Sequence, residues 1–104
     1  MSVVKIQLPT VVPVVDDYQF EVSLSGRRYL LLLSWSGKLW YVDILVSDQD
    51  SYRALVEGQG FVLDYPLLFG CADPLAPPGV LLLSSATGVD PSRDLSTAVL
   101  YYYT

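Results

Sequence analysis

The sequence contains no histidine and no asparagine, and it has a single cysteine, Cys71. Without histidine, the usual general base, the common zinc ligand and the side chain that titrates near neutral pH are all missing. One cysteine cannot form an intrachain disulfide, so a stapled secreted scaffold is excluded and folding in a reducing compartment is expected. Without asparagine, N-glycosylation cannot occur. Charge is scarce: 16% of the 104 residues are charged, against about 25% in an average soluble domain. Six basic residues face eleven acidic ones, a net charge of −5. The clustered Lys and Arg of a nucleic-acid footprint are therefore absent, and no specific nucleic acid is expected as a partner. The apolar run over residues 29–33 is far short of the roughly 20 residues a helix needs to cross a bilayer. No membrane insertion is expected. The opening Met-Ser-Val-Val-Lys has no basic stretch ahead of a long apolar core, and no secretory signal is expected.

What is present is apolar surface. Hydrophobic residues make up 52% of the chain, with eight Tyr and two Trp. That is enough to offset the ordering entropy of one domain, residues 1–104, and it excludes disorder. β-Branched and aromatic enrichment favours strands. Residues 4–8 alternate apolar with polar, as a half-buried strand does. Residues 18–24 alternate again, with Tyr18, Phe20, Val22 and Leu24 on one face. Ser25-Gly26 is a turn signal, and residues 27–35 form the returning arm. Ser36-Gly37-Lys38 turns the chain into a third arm over 39–46, with Trp40, Val42, Ile44 and Val46 inward. A further strand is expected over 52–57, with a kink or bulge at Gly58 and Gly60 and brief pairing over 61–63. Four prolines make 64–79 mainly loop. Strands are expected over 80–85 and 97–103. Between them, Asp90-Pro91-Ser92-Arg93-Asp94-Leu95 reads as one helical turn, capped by Asp90 with Pro91 in the first helical position. The expected class is all-β: a small antiparallel β-barrel or sandwich of about six to eight strands with that short helical turn near 90–95.

This chain has more apolar faces than a one-layer sheet can hide. Leu30 and Leu32 point away from Tyr29, Leu31 and Leu33; near the end, Val99, Tyr101 and Tyr103 oppose Leu100 and Tyr102. A sheet wetted on one side does not carry this pattern. Either a tight barrel buries everything, or a partner covers the second face, as in an interface rich in aromatics. The candidate interface comprises Leu30, Leu32, Tyr101 and Tyr103, with Arg27 and Arg28 as the one basic pair. Alternating Tyr on a closing strand suits an interface, because Tyr is apolar with a polar tip.

Chemistry is weakly marked. Asp48-Gln49-Asp50 begins like a calcium loop, but Tyr52 and Arg53 stand where a ligand and the Gly turn belong. Asp16-Asp17 reads as a polar loop end. Cys71 has no His partner and lies in a Pro-rich stretch, so it reads as inert. The acids at 43, 64, 90 and 94 carry no acid–base signature. No cofactor, metal or catalytic residue is expected. A second reading uses Trp35, Trp40 and Tyr41 as a stacking pocket of a small binding module for a peptide or ligand.

Taken in order, Lys5-Ile6-Gln7-Leu8-Pro9, then Tyr18 through Tyr29 with Ser25-Gly26-Arg27-Arg28, then Leu31-x-Leu33-x-Trp35 and Trp40-Tyr41-Val42-Asp43-Ile44, form a recognisable series. It continues through Gly58 and Leu67-Leu68, the strand at 80–85 and the Asp90-Pro91-Ser92-Arg93-Asp94-Leu95 turn. The series resembles the small tailed-phage baseplate plug proteins over nearly the whole chain. The resemblance implies a virion structural protein of the tail baseplate, made in the cytoplasm of the host bacterium. It implies packing around the central hub and spike, where plugs help close the tube until infection. Expected partners are the hub, spike and tube proteins and a second copy of the chain itself. No catalytic residues are carried over. An acidic surface facing the tube would repel DNA.

Overall fold

A computed structural model describes residues 2–8, 16–91, 95–96 and 98–104. Seven strands follow in order: β1 (Val3–Gln7), β2 (Asp17–Leu24), β3 (Arg27–Trp35), β4 (Trp40–Asp48), β5 (Ser51–Gly60), β6 (Val80–Ser85) and β7 (Ala98–Tyr103). The expected all-β class holds. The local turns are those the sequence dictates. Leu24 pairs with Arg27 across Ser25 and Gly26, at φ 52° and 80°. Two positive φ values match the twist of the flanking strands and favour Gly. Between β3 and β4, Ser36 Oγ accepts the backbone N–H groups of Lys38 and Leu39 and donates to the Leu39 carbonyl. Gly37 supplies the φ of 97°.

The three hairpins make one antiparallel sheet in the order β2-β3-β4-β5. Its last pairing is irregular. The register shifts on either side of Ile44, and Gly58 turns at φ 67°, so the bulge expected at the glycines is present. The second sheet has the order β1-β7-β6, both pairs antiparallel, with the closing strand in the centre. The architecture is therefore two sheets and not a closed barrel. The inner faces share one core: Ile6, Leu81, Leu83, Leu100 and Tyr102 from one sheet meet Tyr29, Leu31, Leu33, Val42 and Ile44 from the other. Each such side chain contributes about 1.5–3 kcal/mol by leaving water.

Residues 61–79 join the sheets. Phe61, wholly buried, donates its N–H to the Trp40 carbonyl. Leu63 bridges Leu83, and Leu67 bridges Leu81, so this segment covers the outer edge of β6. The segment is pinned further on: Tyr29 Oη donates to the Leu75 carbonyl at 2.8 Å, and Arg53 holds Asp73 with both guanidinium nitrogens. That pair holds the Asp73 carboxyl below the ordinary carboxylate range, aided by the Leu75 N–H. The brief pairing and the long loop thus combine into a strap.

The helical turn expected near 90–95 is not borne out. Among the described residues there is no helix, and residues 92–94 lie outside them. Among the described residues, Asp90 Oδ1 accepts the N–H of Leu63 at 2.9 Å. A carboxylate takes the nearest unpaired donor, whether or not a helix follows.

Candidate assembly surfaces

Strand alternation divides every strand into a core side and a solvent side. On the four-stranded sheet, the solvent side carries Leu30 opposite Glu21 and Leu45, with Leu45 opposite Ala54. The next row sets Leu32 between Gln19 and Asp43. Leu30, Leu32 and Leu45 are half-buried, so the chain covers them only in part. Asp17, Gln19, Ser34 and Asp43 wall an open depression of about 340 Å³ beside Leu32. Asp43 is held there because its Oδ1 accepts the Gly58 N–H at 2.7 Å, at the bulge. Further along, Arg28 Nε lies 3.9 Å from Glu21 Oε2 with both side chains exposed, a pair worth about 0–1 kcal/mol. Burial, then the hydrogen bond and charge of Glu21, raise the pKa of Tyr52 beside them. Arg27 is exposed at the β2–β3 turn.

The three-stranded sheet has a different solvent side. Its rows are Val3–Tyr103–Val80, Lys5–Tyr101–Leu82 and Gln7–Val99–Ser84. Val3 and Val80 are 53% and 43% exposed; Leu82, Val99, Tyr101 and Tyr103 are half-buried. The Tyr101 and Tyr103 rings sit 6.2 Å apart, two residues along one strand. Ser84, Val99 and Tyr101 border a shallow depression of about 200 Å³.

The candidate interface residues therefore fall into two groups on opposite sides of the molecule. Leu30, Leu32 and Arg28 share one outer face, Tyr101 and Tyr103 the other, and Arg27 sits at a turn. Sequence reasoning missed Leu45, Val3, Val80 and Leu82. The alternation of Leu81 and Leu83 with Val80 and Leu82 was the available signal.

The aromatic pocket does not form. Trp40 is wholly buried, with Tyr18 and Trp35 each 5.5 Å away centre to centre. Tyr41 points to the opposite side of β4, next in the row to Ser34. The Trp pair is core packing. Cys71 is half-buried, its N–H bonded to the Leu68 carbonyl. The 48–51 turn is a tight two-residue hairpin with Gln49 at φ 58°, and Asp48 pairs with Arg53. Among the described residues, no three His, Cys, Asp or Glu side chains group as metal ligands, and no helix is long and apolar enough to cross a membrane.

The fold and its surfaces define a small two-sheet β protein whose distinctive chemistry lies on broad apolar faces. Residues 5–104 match the family described as cyanophage baseplate Pam3 plug gp18, and the chain belongs to that family. It is a family of structural baseplate plugs, which gives the chain a structural role in the phage tail baseplate among other baseplate components. No curated protein matches the chain.

Proposed function

We propose that this chain is a non-catalytic plug subunit that packs around the central hub and spike of the baseplate and helps keep the tube closed. Its contact surfaces are the two apolar outer faces, one centred on Leu30 and Leu32 and the other on Tyr101 and Tyr103, with Arg27 and Arg28 at the edge of the first. The observation that carries this reading is the partial exposure of apolar side chains on both sides of one small sandwich. A monomer surface seldom carries two such patches unless something covers them. Membership of a baseplate plug family supplies the setting.

The test is co-expression with the hub, spike and tube proteins of the same phage, followed by affinity capture on this chain. Capture of hub or spike is expected. Leu30→Asp and Tyr101→Asp, each folded by circular dichroism, are expected to reduce it. Capture unaffected by both substitutions refutes the assignment of the faces. No capture of any of the three proteins, even at low salt, refutes the hub and spike reading.

A further inference from the structure

The two outer faces differ in charge as well as in composition. The Tyr101 face carries one cation, Lys5, and no acid among the described residues of its three strands. Among the described residues of β2, β3 and β4, the Leu32 face carries Asp17, Glu21 and Asp43 around its leucines, with Arg28 as the single cation. Both are flat sheet faces with an apolar middle. One is weakly positive and the other acidic, within a chain of net charge −5.

Complementarity of this kind selects an occupant. Two Tyr101 faces meeting would bring together two cations and no acid, and two Leu32 faces would bring together six acids. A Tyr101 face against a Leu32 face puts Tyr101 and Leu82 on Leu30 and Leu32 and brings Lys5 to the depression walled by Asp17 and Asp43. Its aliphatic stem lies on Leu32 while its ammonium meets the carboxylates.

We propose that the Tyr101 face of one copy docks on the Leu32 face of a second copy, head to tail, with Lys5 seated in the Asp17–Asp43 depression. Every open assembly then keeps one free Tyr101 face at one end and one free Leu32 face at the other, so association continues past two copies and closes into a ring if the rotation between copies permits. A face three strands wide and five residues long is about 14 by 17 Å. That is small for a stable interface, so self-association is weak and concentration-dependent. A second copy is thus an occupant of the same two faces assigned above to hub and spike, and the experiment uses this chain alone, so its failure is distinguishable from failure of the hub and spike reading.

The experiment uses two variants at exposed positions, studied separately and mixed. Lys5→Glu makes the Tyr101 face acidic; Asp17→Lys/Gln19→Lys makes the Leu32 face basic. Sedimentation equilibrium of the wild type at high concentration is expected to show species beyond the dimer. Each variant alone is expected to associate at least about tenfold more weakly, because like charges now meet. A one-to-one mixture is expected to regain association, because each altered face finds its opposite. A wild type that stays monomeric or stops at the dimer overturns the proposal. So does an Asp17→Lys/Gln19→Lys protein that associates as the wild type does, because the Leu32 face is then not the docking site. A mixture that fails to recover, with both variants folded by circular dichroism, also overturns it.

Discussion

The Tyr102 hydroxyl links three distant parts of the chain, and removing it gives a quantitative test of the fold. Its Oη lies 2.8 Å from Ser25 Oγ at the β2–β3 turn and accepts the Gly79 N–H at 3.0 Å at the end of the strap. The ring is 2% exposed in the core. Tyr102→Phe keeps the ring and deletes the oxygen. Ser25 is exposed and recovers its hydrogen bond from water, whereas the Gly79 N–H is sheltered by the strap. One net hydrogen bond contributes about 0.5–1.5 kcal/mol, and a sheltered donor left unpaired costs about 1–3 kcal/mol. Because the contacts are partly buried, a loss of about 2 kcal/mol is expected. For a domain of this length that lowers Tm by about 10 °C. Urea unfolding should shift its midpoint with the slope unchanged. Tyr103→Phe is the control, since that side chain lies on the solvent side of the same strand. If Tyr102→Phe melts within about 1 °C of wild type, or no lower than the control, the hydroxyl is not a clamp and the reasoning is wrong.

Two further results are expected. A Cβ built on Gly79 would lie 2.1 Å from the Tyr103 carbonyl oxygen and 2.7 Å from the Tyr102 ring, so Gly79→Ala should destabilise by about 1–3 kcal/mol or more; Gly60→Ala, whose Cβ would meet Val62 Cγ1 at 4.0 Å, should be near neutral by the same urea titration, and equal effects would contradict the packing described. Burial above all, then the neighbouring Tyr102, raises the Tyr29 pKa above its ordinary 10.0, partly offset by Arg27. A raised pKa means the folded state holds its proton longer than the unfolded chain. The stabilisation is complete below the unfolded pKa and is lost as pH rises past it. Urea midpoints should therefore be level from about pH 7 to 9 and fall above about pH 10, with a shallower fall in Tyr29→Phe; a midpoint that holds or rises there is incompatible with this account.

Local pattern made the meander legible. Arg27–Trp35 and Val80–Ser85 begin and end where the residues indicate, because alternation and a two-residue turn fix both register and inward face. The inward set of Trp40, Val42, Ile44 and Val46 followed from the same rule. What stayed hidden depends on contacts between distant residues. Nothing local in residues 3–7 says that they pair with 99–103, so a barrel and a sandwich were equally open. Leu30 and Tyr101 each read as surplus to the core, but their placement on opposite outer faces follows from the sheet arrangement. Asp90 carried a cap signature, and its bond to the Leu63 N–H, a donor remote in sequence, had no local signal. Trp35, Trp40 and Tyr41 are close in sequence, yet strand alternation separates Tyr41 from Trp40 and sends them to different sides.

The central place of β7 in its sheet has a consequence for synthesis. β1 leaves the ribosome ahead of β2 to β6, but the strand it pairs with follows all of them, with Val3 set against Tyr103. The four-stranded meander needs only neighbours and can form on the nascent chain, since local pairings close faster than remote ones. The three-stranded sheet cannot form until β7 has been translated. A prematurely terminated product lacking β7 would have no Tyr101 face to present and would leave β1 and β6 without their partner strand.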